Sequence, residues 1–390
     1  MSLLIGQMET LALRSPYGQL FRSCVRAAHV AGASDIHIEP TKSGLDIRFR
    51  VFGEMQPPWK QLALDHKQSF VVAVKKETKL AIGVSGKPQD SRCTVEGVPV
   101  DLRVNLLPTL FGEKIVLRLL DAGREFGIEK LGIPTKTLTD MMAALNYRNG
   151  VVLISGPTGS GKTTTLYSML CAIDRTRKNI VTLEDPVEYT IAGINQVRID
   201  PKVSFAAALR AVLRQDPDVI LVGEIRDEET AQLAFKAAAT GHLVLSTVHA
   251  NGAAEVVGRL LGLGIDKDTL SENLRFSAAQ RLVGRLCQRC STEAPVTLCE
   301  YANQAIEQQS DTKTATFRIR TSSGCEHCHE GVTGRIPVIE YMNETGIIRL
   351  LEAGSSASAR SGVLKQTLKR AAYDLASAGL IDVREVTSIG

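Results

Sequence analysis

Between Gly156 and Thr163 the chain reads Gly-Pro-Thr-Gly-Ser-Gly-Lys-Thr, directly after the apolar run Val151 to Ile154 and directly before a helical pattern over 164–173. Gly156, Gly159 and Gly161 allow a tight turn that aims backbone N–H groups inward, where a side chain would collide with phosphates. Lys162 supplies a cation for β and γ phosphates, Thr163 a hydroxyl for Mg²⁺, and the helix that follows adds the field of its N-terminus. Pro157, Thr158, Ser160 and Thr164 complete the loop and its exit. Strand, loop and helix in that order form the context in which this spacing binds a nucleoside triphosphate.

Phosphoryl transfer to water also needs a carboxylate that orients or deprotonates the water, and cations for the transition-state charge. Glu224 stands just past the apolar run Val219 to Val222 and is the first choice for the water-positioning group. Glu184 and Asp185, with Glu188 nearby, end a second apolar run; either of the first two could hold Mg²⁺ through water, and Glu184 competes with Glu224 for the attacking water. His249, after Ser246-Thr247, is a candidate sensor of the γ phosphate, whereas His242 reads equally well as a hydrogen-bonded core residue.

Eight cysteines are present. Cys24, Cys93 and Cys171 are isolated and read as small apolar core residues. Cys287-x-x-Cys290 and Cys325-x-x-Cys328 have the doubled spacing that lets thiolates face one tetrahedral Zn²⁺, with Cys299, His327 and His329 as spare ligands. Four thiolates leave no open position for substrate, so the expected role is structural.

The elements that must position these groups change character along the chain. Up to about residue 120, amphipathic and alternating patterns mix, with a helix over 21–31 and strands over 34–39, 45–51, 98–104 and 114–119, which predicts a small α+β domain. Residues 121–134, rich in Gly and charge, read as a linker. From 135 on, strands alternate with helices in the manner of a parallel sheet covered on both faces. The runs 151–155, 179–183, 218–222 and 242–246 read as buried strands whose carboxyl ends, the phosphate loop, Glu184-Asp185, Gly223-Glu224 and Thr247 with His249, converge on one site. Residues 281–345 carry the cysteines, and residues 346–390 a flexible connector over 354–362 and a last helix over 363–376.

Composition adds exclusions. Lys and Arg number 46 against 42 Asp and Glu, a net charge of +4, and aromatics are 5% of the chain. That balance gives no separate reason to expect nucleic acid or an anionic membrane as partner. Apolar stretches are far shorter than a bilayer span, and residues 1–10 carry no secretory signal, so a cytosolic protein is expected.

Taken together, these residues resemble the GspE/PilB family of secretion ATPases, which drive type II secretion and type IV pilus assembly. Gly156 to Thr163 match its phosphate loop, Thr182 to Tyr189 its aspartate box, Leu213 to Asp227 its second nucleotide motif and Thr240 to Ala250 its histidine box. Ala33 to Pro40, Ala-Ser-Asp-Ile-His-Ile-Glu-Pro, looks like the start of the sheet in the family's PAS-like N-terminal domain. The likeness covers most of residues 17–342. It implies an α/β architecture: a RecA-like P-loop ATPase domain (135–280) after a small PAS-like α+β domain (1–120), with a C-terminal zinc-binding excursion (281–345).

The resemblance further implies a cytoplasmic homo-hexamer at the inner face of the inner membrane. It would hydrolyse ATP with Mg²⁺ between the two domains and act on an inner-membrane platform protein. The family's interface arginines carry over to Arg103 and Arg118. The four cysteines favour the exporter and pilus-extension branch over the retraction motors. Departures from the pattern are Phe52, where an acid is common before Gly53, Ser91, where glycine is usual, and a short stretch over 201–206. Exporters usually carry a docking domain ahead of the PAS-like one, so docking is expected through a segment outside this sequence or by another route. Two other functions compete: a ring that translocates nucleic acid, and an assembly scaffold without turnover.

Overall fold

The computed structural model describes residues 16–121, 126–199, 203–306, 317–354 and 362–389. The chain forms two compact units, residues 1–125 and 126–390. In the first, β1 (Ala33–Pro40), β2 (Gly44–Val51), β3 (Glu54–Met55), β4 (Lys60–Ala63), β5 (Gln89–Val95), β6 (Val98–Thr109) and β7 (Gly112–Asp121) make one antiparallel sheet. Its order is β3-β2-β1-β7-β6-β5, with β4 also on β2. Successive side chains alternate between faces. Ile36, Ile38, Ile47, Leu102, Val104 and Leu117 therefore fill a core closed by Phe21 and Val25 of the Pro16–Val30 helix and Phe70 and Val74 of the Leu64–Glu77 helix.

The opposite face carries the charged residues. Arg103 on β6 stands opposite Arg92 on β5 and Arg118 on β7, and Arg118 stands opposite Asp35 on β1. The β2–β3 hairpin turns through Phe52 and Gly53, at φ 50° and 95°. A phenylalanine in that left-handed region is strained, and its ring packs against the core instead of leaving a short polar side chain in the turn.

In the second unit, β8 (Gly150–Ser155), β9 (Ile180–Glu184), β10 (Asn195–Arg198), β11 (Val219–Val222), β12 (Leu243–Val248), β13 (Leu274–Leu286) and β16 (Val332–Asn343) form a sheet in the order β10-β9-β11-β12-β8-β13-β16. All neighbours are parallel except the β13–β16 pair. Val151 and Leu153 join the core on one face, Val152 and Ile154 that on the other, so β8 reads as an uninterrupted apolar run. A two-stranded ribbon, β14 (Thr292–Glu293) with β15 (Arg318–Ile319), lies in the excursion between β13 and β16.

Several boundaries differ from the sequence expectation. Residues 126–134 pack into this unit: Phe126 meets Tyr167 and Tyr189 edge-on at 5.2 and 5.3 Å, and Ile128 and Ile133 are buried. Only 122–125 of the expected linker fall outside the described residues. β13 runs unbroken across residue 280 because it pairs with β8 on one side and β16 on the other, so the excursion proper begins at Cys287. The helix expected over 363–376 is Leu368–Ser377, started by the Thr367 hydroxyl accepting from the Arg370 N–H, while Val363 serves the core; one more short helix, Glu385–Ser388, follows. Most of the expected connector over 354–362 lies outside the described residues.

Candidate functional site

The parallel strands β8, β9, β11 and β12 end at one edge of the sheet, so their trailing residues gather as expected for ligands of open α/β sheets. The phosphate loop leaves β8 with Gly156, Gly159 and Gly161 at φ 142°, 79° and 84°. A Cβ on Gly156 would stand 2.4 Å from the Gln280 carbonyl oxygen, so this glycine is a matter of space as well as of backbone freedom. Ser160 Oγ is buried and has no hydrogen-bond partner among the described residues, the condition of a loop built to meet further polar groups.

Lys162 opens the Lys162–Ala172 helix, and its Nζ donates to the carbonyls of Gly156 and Pro157 at 2.8 and 3.0 Å. Burial pulls its pKa below the ordinary lysine value; Glu224 opposes that shift and Arg281 adds to it. The cation is thus folded back on the loop it would share with phosphates. Thr163 and Thr164 are partly exposed in the first turn of the same helix.

Glu224 follows β11, mostly buried. Its Oε2 lies 2.8 Å from an Arg226 guanidinium nitrogen, and its Oε1 lies 2.8 Å from His249 Nε2. The second contact is close but not aligned for a hydrogen bond, so Oε1 keeps an unused buried lone pair. His249 also lines a cleft of about 310 Å³ with Gly156, Pro157, Asn251, Glu255 and Arg259. Glu224, Lys162 and His249 therefore belong to one locality.

Glu184 is placed differently. It is the last residue of β9, not the first beyond it, and is 4% exposed. Its carboxylate accepts from the Tyr167 hydroxyl, from Thr182 Oγ1 at 2.6 Å and from Gln196 Nε2 at 3.1 Å. Burial and that carboxylate push the Tyr167 phenol well above its usual pKa. Asp185, by contrast, is exposed at the strand end. His242 Nδ1 lies 2.9 Å from the Ala237 carbonyl, where it closes the end of the Glu228–Ala239 helix. Arg103 and Arg118 lie in the first unit, on the exposed face of its sheet; Arg118 donates to Asp35 at 3.0 Å.

Sequence reading missed Gln280, a buried amide on β13 that touches the phosphate loop, and Arg281, whose guanidinium donates to the Asn251 carbonyl at 2.9 Å. Neither sits in a pattern with a recognisable spacing; only the pairing of β13 with β8 brings them there.

The four cysteine sulfurs lie within 4.8 Å of one another. Cys287 to Cys325, Cys290 to Cys328 and Cys325 to Cys328 measure 3.8, 3.5 and 3.6 Å. A tetrahedron with Zn–S bonds of about 2.3 Å has sulfurs about 3.8 Å apart, so the cluster fits the ion. The thiols share hydrogen bonds and divide their protons unequally: against burial, N–H groups of Arg289 and Cys290 and the neighbouring thiols hold Cys287 at about 7, while burial and the neighbouring thiols push Cys290 and Cys325 up. The spare ligands lie apart from the cluster's core: Cys299 points to the Ala294 carbonyl, and His327 pairs with Arg289 and Glu326.

Residues 12–388 match the protein family described as Type II/IV secretion system protein. The chain is 40% identical over 370 residues to the type IV pilus assembly ATPase PilB of Pseudomonas aeruginosa, covering 92% of this chain and 63% of that protein. It is 39% identical over 388 residues to the type II secretion system protein E of Klebsiella pneumoniae, covering 96% and 76%. The solved pilus retraction motor PilT with bound ADP superposes with a TM-score of 0.65 at 27% identity, covering 95% of this chain and 96% of that one. The Legionella pneumophila ATPase DotB, at 22% identity and TM-score 0.69 over 94% of each chain, shares the fold. The chain spans less than two thirds of the length of the PilB relatives. With motifs, fold and relatives in agreement, the chain belongs to the type II/IV secretion system protein family.

Proposed function

We propose that this chain is the ATP-hydrolysing motor of a machine that assembles a type IV pilus or a type II secretion pseudopilus. The observation that carries the reading is the convergence of the phosphate loop with Glu224 and His249: Lys162 Nζ folds back on the Gly156 and Pro157 carbonyls, those two residues line one cleft with His249, and His249 Nε2 lies 2.8 Å from Glu224 Oε1. In this reading Lys162 and the loop N–H groups bind the β and γ phosphates of ATP, and Thr163 holds Mg²⁺, which neutralises phosphate charge when bound. Glu224 orients the attacking water, His249 reports the γ phosphate, and Asp185 contributes to the metal's water shell. Glu184, already satisfied by three donors, serves as the rigid anchor of its strand end rather than as the base.

The first unit is read as the PAS-like domain and the second as RecA-like, with Arg103 and Arg118 as cations that approach the transferring phosphate in a homo-hexameric ring. Zn²⁺ at Cys287, Cys290, Cys325 and Cys328 pins the excursion. The partner is an inner-membrane platform protein on the cytoplasmic side. No helix among the described residues is long and apolar enough to cross a membrane.

The test is phosphate release from MgATP by the 390-residue chain, with and without single-stranded DNA, alongside Glu224→Gln. Turnover indifferent to DNA and lost in Glu224→Gln is expected. Turnover that requires DNA would mark a nucleic-acid translocase, and binding without turnover an assembly scaffold.

A further inference from the structure

The phosphate loop is held from outside by a residue that belongs to none of its motifs. Gln280 is 1% exposed on β13, one residue beyond the Ala279–Ser155 pairing with β8. Its Nε2 donates to the Ser160 carbonyl at 2.7 Å, and its Oε1 accepts from the Thr165 hydroxyl at 2.8 Å. Its own carbonyl is the atom that a side chain on Gly156 would strike, and its amide is the first atom a Cβ on Gly161 would meet, at 3.0 Å. One residue thus touches the start of the loop, its crest and the first turn of the following helix.

We propose that Gln280 is a positioning residue for the phosphate loop. Its amide fixes the Ser160 peptide, so that the N–H groups after Ser160 and the Lys162 stem face the phosphates before nucleotide arrives. The amide is suited to this because it is donor and acceptor at once: it satisfies a loop carbonyl and a helix hydroxyl that are both out of reach of water. A carboxylate in its place could serve Thr165 but not Ser160, and an apolar side chain could serve neither. A buried group left unpaired costs more than the average hydrogen bond contributes, which is why the loss should be visible in binding. Because the loop grips ground state and transition state alike, the role acts on affinity rather than on the chemical step.

This proposal rests on the nucleotide reading, and the experiment separates the two. MgATP affinity, KM, kcat and melting temperature are measured for the 390-residue chain and for Gln280→Glu, Gln280→Leu, Thr165→Val and Lys162→Ala. Gln280→Glu and Gln280→Leu should raise KM and Kd for MgATP about tenfold while kcat at saturation stays within about threefold of wild type. Thr165→Val, which removes only one of the two bonds, should give a smaller increase in the same direction. Should both Gln280 variants fail to fold, Thr165→Val still decides: unchanged KM there overturns the proposal. Folded Gln280 variants with wild-type KM, or with kcat lost at unchanged KM, overturn it too. Wild type that binds MgATP no better than Lys162→Ala would remove the nucleotide reading itself, and the role of Gln280 with it.

Discussion

Glu224 Oε1 and His249 Nε2 lie 2.8 Å apart across the ends of β11 and β12, two strands that pair from Val219–Leu243 to Val222–Ser246. The pairing fixes the distance, and Arg226 holds the other carboxylate oxygen at 2.8 Å. A carboxylate clamped at one oxygen by Arg226, with the other beside His249 but in no aligned hydrogen bond, can orient a water without swinging away. Glu224→Gln keeps the shape and loses the charge. It should therefore retain MgATP binding and lose turnover by a factor on the order of 10² or more, the usual scale for a positioned base. Hydrolysis at the wild-type rate in this variant would falsify the assignment.

Lys162 carries a pH signature. Burial outweighs the attraction of Glu224, so it gives up its proton at lower pH than free lysine, whose pKa is about 10.4. Affinity for MgATP should fall as pH rises through that lowered value, because a neutral amine no longer draws phosphate. Stability without nucleotide should move the other way. Between the folded and unfolded pKa values the unfolded chain binds the extra proton, so stability rises with pH there. Binding titrations and thermal melts across the alkaline range, with Lys162→Met as the variant lacking both trends, check the pair of slopes. Slopes of the same sign would overturn the account.

Much of this site is legible in the sequence because its parts are local. The loop glycines, Lys162 and the strand-end carboxylates each sit within a few residues of an apolar run that announces a strand, and the doubled Cys-x-x-Cys spacing brings its sulfurs together in the fold. What sequence reading could not reach depends on register between distant segments. Glu184 looks like a free acid until Gln196 and Tyr167 are seen to close on it, and Gln280 looks like any residue of an apolar strand until β13 pairs with β8. Ser91 illustrates the same limit. Its departure from the family pattern becomes intelligible only when its hydroxyl is found donating to the Thr78 carbonyl at 2.6 Å.

Metal analysis of chain purified without chelator should find one zinc per chain. Cys287 follows β13 directly and Cys328 precedes β16 by a short turn, so the cluster ties together the near ends of an antiparallel pair. Serine at Cys287 or Cys325 should release the ion and lower the melting temperature, because binding free energy of the metal is folding free energy. A metal-free chain with unchanged stability would contradict the zinc reading.

Arg103 faces Arg118 across β6 and β7 and Arg92 across β5, an arrangement that like charges directly opposite one another make unfavourable. Asp35 relieves Arg118 and Asp101 relieves Arg92, whereas Arg103 has no ion-pair partner among the described residues. A sheet that tolerates this repulsion is suited to receive an anion. Arg103→Ala or Arg118→Ala should therefore bind MgATP nearly as wild type does but turn it over slower by a factor on the order of 10³, the scale of an arginine finger. In the absence of nucleotide Arg103→Ala should melt no lower than wild type, since it removes repulsion and breaks no ion pair. Mixing either variant with wild type should depress activity more than dilution does, because a closed ring couples defective sites to intact ones. Activity that falls only in proportion to the mutant fraction, or full activity from a sedimenting monomer, would show that the chain does not work as a ring.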